Sequence, residues 1–325
     1  MTRQRLSPLL RLAVSVGLLA LLFRWGGADL SAVAARLRGA RPGPLLIAFL
    51  LYAILGSLVR GFRWQALIAA LGQRVPVART TELFLVGTFF NQFLPTGIGG
   101  DVVRTLILAR DGLGRARAAS TVIVDRAIGI LMLLAAGLVA LLVAHDRAPV
   151  EVAVLLVGAI LAGVGGSIGL LSAHRWRARL VGVRLVGRLA TAGPIARFVD
   201  AFAEYGPRPL ALSAAWSTAF TGLLIGANVA VARALGIHQA DLLDWALVVP
   251  LVALSSLLPS VGGWGVREWT YVGLLGTLQP PVSADMATAI SVLFGAMNLT
   301  LAATGGVLSA WRGSVVMPGG EPGPD

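Results

Sequence analysis

The feature that most restricts this chain is the recurrence of apolar runs close to 20 residues long, near 8–25, 43–62, 116–143, 149–172, 208–232 and 284–311. A helix needs about 20 such residues to cross a hydrocarbon core roughly 30 Å thick. Inside that core every backbone polar group must be bonded within the chain, so these six stretches predict full transmembrane helices. Charged residues make up 13% of the 325 and mean hydropathy is +0.82, against about 25% charge in soluble domains. The fold class that follows is an all-α polytopic membrane protein.

Two further segments, 77–109 and 241–278, are apolar runs interrupted by a Pro/Gly break. The first break reads NQFLPTGIGGDVVR (91–104) and the second SLLPSVGGWGVRE (256–268). Leu94-Pro95-Thr96, Gly99-Gly100 and Val103-Arg104 match Leu258-Pro259-Ser260, Gly262-Gly263 and Val266-Arg267, with one position fewer between Pro and Arg in the second. Proline removes a backbone donor and pushes the preceding residue out of helical geometry, which predicts helix ends at Leu94 and Leu258. Two similar interrupted helices entering from opposite sides are the pattern of an inverted repeat with a site between its halves. Six full spans plus two broken hairpins is therefore the expected layout.

A formal charge of +12 could suggest a nucleic-acid partner, but the arginines flank apolar runs, and none of the 27 basic residues is lysine. With a cytoplasmic N-terminus, nineteen arginines fall on the cytoplasmic side and six opposite, as the positive-inside rule expects of an inner (plasma) membrane protein. The start lacks a small-residue cleavage site and reads as an uncleaved span. Residues 28–41 predict a short interfacial helix and 174–205 an amphipathic surface segment. A single transmembrane domain is expected over 1–312, with a disordered Pro/Gly-rich tail over 313–325. Cysteine is absent and the three histidines are scattered, so neither a metal nor a cofactor is expected.

Glycines in each break allow close backbone approach, and the helix restarting after it carries a positive end suited to an anion. Arg104 and Arg267 lie about one turn further on, and a guanidinium grips phosphate bidentately. The competing reading makes Asp101–Arg104 an i, i+3 ion pair that ties down a kinked helix, with Glu268 neutralising Arg267. Asp125-Arg126 is either a cavity-facing pair or one that reaches the interface. Arg60, Arg63 and Trp64 in RGFRW read as an interfacial anchor. No nucleophile elbow, P-loop or zincin motif is present, so enzymatic activity is not expected.

FNQFLPTGIGGDVVR, VDRAIGIL, LLPSVGGWGVREW and RGFRW resemble the hallmark segments of the lysylphosphatidylglycerol synthase transmembrane (flippase-like) family, over about residues 8–311. The resemblance implies a site drawn from Asn91, Pro95, Gly99, Gly100, Asp101 and Arg104, from Asp125 and Arg126, and from Pro259, Gly262, Gly263, Gly265, Arg267 and Glu268. Relatives often carry an arginine in the last span, where this chain reads LFGAMNLT, ending at Thr300. The synthases continue into a soluble aminoacyl-transfer domain; this sequence stops at 325, which argues against synthase activity.

The expected function is movement of an anionic phospholipid or a polyprenyl-phosphate-linked sugar between leaflets of a bacterial inner membrane, with the phosphate between Arg104 and Arg267. The alternatives are a non-transporting partner or regulator of a glycosyl- or aminoacyl-transferase, an ion-coupled small-solute carrier and, weakest, a lipid-modifying enzyme.

Overall fold

Long apolar helices in lipid gain little from hydrophobicity between themselves and associate through close packing of small residues and internal hydrogen bonds. This chain does both. The computed structural model describes residues 3–93, 99–146, 148–171, 201, 204–258 and 260–311, and the regular structure among them is helical. The helices are α1 (Arg3–Trp25), α2 (Leu30–Arg38), α3 (Pro42–Ala70), α4 (Val77–Phe93), α5 (Gly99–Leu108), α6 (Arg115–Val143), α7 (Val150–Leu171), α8 (Pro207–Ala234), α9 (Leu242–Ser255), α10 (Val266–Gly276) and α11 (Ala284–Trp311).

Four of these, α3, α6, α8 and α11, are long and apolar enough to cross a membrane; α1 and α2 supply a fifth crossing if the pair, bent by 95°, acts as one. A helix expected within 28–41 is present as α2, capped by Asp29, whose side chain accepts from the Ala32 amide. Helix α7, Val150–Leu171, coincides with the stretch expected over 149–172. Leu94, Pro95, Pro259, most of 174–205 and the tail from 313 lie outside the described residues.

Both interruptions are present. Helix α4 ends at Phe93, α5 restarts at Gly99, and α5 packs back against α4, where a side chain on Gly100 would run into the Gly87 carbonyl. Helix α9 ends at Ser255, three residues before the expected stop at Leu258. Its carbonyls then accept i+3 bonds, from the Leu257 amide to Leu254 at 2.9 Å and from the Leu258 amide to Ser255 at 3.0 Å. Gly262, Gly263 and Gly265 take positive φ in the connection to α10.

The larger core gathers α8, α9, α10 and α11 around Val231, Trp245, Leu247, Leu275 and Ile290; a smaller one joins α3 through α6 around Trp64, Leu67, Leu83, Leu108 and Val122. Bare backbone sets the helix approaches. Gly305 of α11 lies against the Leu85 carbonyl of α4, and Gly61 of α3 against Thr81. The cavity described next lies where α3 to α6 meet α8 and α9.

Candidate functional site

Each helix around the cavity contributes one face at helical spacing. Arg60 and Arg63 come from α3; Phe84, Gly87, Thr88 and Asn91 from α4; Asp101 and Arg104 from α5; Asp125, Arg126, Gly129, Ile130 and Leu133 from α6. Phe220, Thr221 and Leu224 of α8 and Ala253, Leu254 and Leu257 at the end of α9 complete a space of about 320 Å³. Asp125 lies ten residues into α6, about 15 Å from its start at the usual helical rise. Ile130 and Leu133 follow deeper on the same face. One pole of the cavity is therefore ionic and the other apolar.

The ionic pole is an alternating chain of charges. Arg63 donates from Nε to Asp125 Oδ1 at 2.7 Å and from Nη2 to Oδ2 at 2.8 Å. Asp125 Oδ2 lies 3.6 Å from Arg104 Nη1. Arg104 in turn donates to Asp101 Oδ1, from Nη2 at 2.9 Å and from Nε at 3.0 Å, and the second oxygen of Asp101 takes Arg126. Asp125 is 1% exposed and Arg104 4%. Charges this buried are tolerated only when paired, and the alternation supplies the pairing. Gly129 makes the room, since a Cβ there would stand 2.9 Å from Arg63 Nη1.

Arg60 sits outside that chain. Its guanidinium carbon is 4.2 Å from the Phe84 ring centre, 4.6 Å from Phe220 and 5.4 Å from Tyr52, and Nε donates to the Gly56 carbonyl at 2.9 Å. The negative faces of aromatic rings hold a cation without neutralising it. Two buried guanidinium nitrogens, Arg60 Nη2 and Arg104 Nη1, have no hydrogen-bond partner. Trp64 steadies Arg104, its ring 5.0 Å from the guanidinium and its own Nε1 donating to Thr121 at 3.0 Å.

Of the residues singled out in the sequence, Asn91, Asp101, Arg104, Asp125 and Arg126 meet at the cavity. Gly99 and Gly100 are buried at the start of α5, and the Gly100 amide is already taken by Asn91 Oδ1 at 2.8 Å. The second motif is placed differently. Gly262, Gly263, Arg267 and Glu268 do not line this cavity. Glu268, fully buried, accepts the Gly265 amide at 2.6 Å, the Ser291 hydroxyl at 2.7 Å and Arg267 Nη2 at 3.2 Å, while Arg267 Nε donates to Ser291 at 2.8 Å. The expected pairing of Arg104 with Arg267 on one anion is thus replaced by a self-contained cluster. A buried carboxylate needs its own partners, and Arg267 is one of them.

The breaks nevertheless touch, because a side chain at Gly262 would run into Gln92, the neighbour of Asn91. Arg60, Arg63 and Trp64, expected at the interface, belong to the site or its support. The sequence did not show this, because the expected span ended near 62, whereas α3 runs on to Ala70 and sets Arg60 ten residues, about 15 Å, in from its end.

Membrane-length helices packed around a positively charged, half-apolar cavity define a multi-pass integral membrane protein with an internal ionic site. The chain belongs to the family of the lysylphosphatidylglycerol synthase transmembrane region, whose sequence profile matches residues 9–306. That family places it among membrane proteins of lipid metabolism or transport. Searches of curated proteins and of solved structures return no match.

Proposed function

We propose that this protein carries an anionic lipid, a phospholipid or a polyprenyl-phosphate conjugate, between the leaflets of a bacterial inner membrane, with its N-terminus in the cytoplasm. The observation that carries the reading is the cavity's division into an arginine-rich pole with two guanidinium nitrogens that make no hydrogen bond and an apolar pole formed by Ile130, Leu133, Leu224 and Leu254. An amphipath has the same division. Its phosphate replaces the missing acceptors, and the first carbons of its tails lie against the apolar pole. The two broken helices, read as an inverted pair, would supply the alternation between leaflets.

In proteoliposomes carrying a head-labelled phosphatidylglycerol, Arg104→Gln is expected to slow leaflet transfer at least about tenfold, the equivalent of one hydrogen bond to a charged group. Arg267→Gln is expected to lower thermal stability while transfer per folded molecule persists. Undiminished transfer by Arg104→Gln refutes this site. Absence of transfer by the pure wild type, together with co-purification of a transferase, turns the reading into that of a non-transporting partner.

A further inference from the structure

Among the described residues the cavity lining holds four arginines and two aspartates. Each aspartate is engaged within the alternating chain, so two positive charges remain in excess. The excess has an address: Arg60 on α3 is held by aromatic rings rather than by a carboxylate, and Arg104 Nη1 on α5 makes no hydrogen bond, its nearest carboxylate oxygen being Asp125 Oδ2 at 3.6 Å. A space of about 320 Å³ has room for a phosphate and the first carbons attached to it.

We infer that the head recognised here is a phosphomonoester in its doubly ionised form, borne on a lipid tail; this rests on the anionic-lipid reading above and narrows it. A phosphodiester carries one charge and leaves one guanidinium uncompensated. A monoester carries nearly two above its second ionisation, near pH 6, and offers three terminal oxygens to donors on two walls. The apolar pole separates a lipid-borne phosphate from free phosphate, which has nothing to place against Ile130, Leu133 and Leu224.

The ligand's second ionisation gives the test its handle. The ionisable groups facing the site are Arg60 and Arg63 from α3, Asp101 and Arg104 from α5, and Asp125 and Arg126 from α6; α4, α8 and α9 contribute no titratable side chain to the lining. Arginine keeps its charge throughout. A diester lipid, whose own charge stays constant over this range, is the internal control.

The experiment measures binding of dioleoyl phosphatidic acid and of dioleoyl phosphatidylglycerol to the purified full chain from about pH 5.5 to about pH 8, on either side of that ionisation. Affinity for phosphatidic acid is expected to rise about tenfold over this range, with phosphatidylglycerol unchanged. Arg60→Gln should flatten that rise, whereas Arg60→Lys should keep it, which separates lost charge from lost packing. Equal affinity for both lipids at the alkaline end overturns the inference and leaves the broader anionic-lipid reading standing. Failure to bind either lipid overturns both. Inorganic phosphate binding as tightly as phosphatidic acid overturns the lipid-borne assignment.

Discussion

Asp125 holds more of this molecule together than its single charge suggests. It receives both arms of Arg63 and faces Arg104, at a depth where water does not reach it. Asp125→Asn keeps the shape and removes the charge, leaving Arg63 buried without a counter-ion. The expected cost is about 3–5 kcal/mol, read as a lower thermal midpoint of the purified protein; an unchanged midpoint would show that the pair is not an essential tie. Asp101→Asn should cost less, since that carboxylate is 13% exposed. The pairing of Asp101 with Arg104 was legible in the sequence because three residues separate them on one helix. The pairing of Arg63 with Asp125 was not, because they stand 62 positions apart and no local rule joins them. Arg267 carries the same punctuation as Arg104 and was read alike. The clue against that reading lay two residues before it: Gly265 followed at the third position by Glu268 is a capping arrangement, which occupies the helix start and draws Arg267 inward.

Helix ends and interruptions followed from proline and glycine, and most of the expected spans coincide with helices to within a few residues. The exceptions have local causes. Helix α9 contains Pro250 and stops at Ser255, its last turn tightening into i+3 bonds before Pro259 is reached. Glycine in the first break was expected to allow close backbone approach, and the resemblance placed it in the site. At Gly100 it admits another helix instead, since α4 and α5 meet backbone to backbone at Gly87. Gly100→Ala is therefore expected to force the two helices apart, at about 1–3 kcal/mol for overpacking, and to displace Arg104 one turn along. Reduced thermal stability together with weakened lipid binding would bear this out, whereas a stable variant that has lost only binding would return Gly100 to the role of a direct contact. The same mutation at Gly158, which has open space around it, is the control.

At the scale of the whole molecule, the arginine distribution predicted a membrane protein and an orientation, but how charge concentrates in one cavity emerged only from the packing. The native chain has no cysteine, so single cysteines report cleanly. Thr88→Cys and Leu224→Cys, on two walls of the cavity, should react with an anionic thiosulfonate about tenfold faster than with a cationic one, because a cleft of one sign concentrates its counter-ion. Ser291→Cys, fully buried beside Glu268, should resist both. Equal rates for the two reagents at Thr88 and Leu224 would mean that the surplus charge is not felt there. The contact of Gln92 with Gly262 bears on how such a machine could turn. Gln92 of one broken segment rests against the bare backbone of the other at Gly262, like a tooth in a gear, so under the transport proposal neither would swing while its mate stays fixed. Either the pair rocks as a single lever, or Gln92 must first lift out of the notch, and residue 262 is then the place where a bulky replacement would jam the stroke.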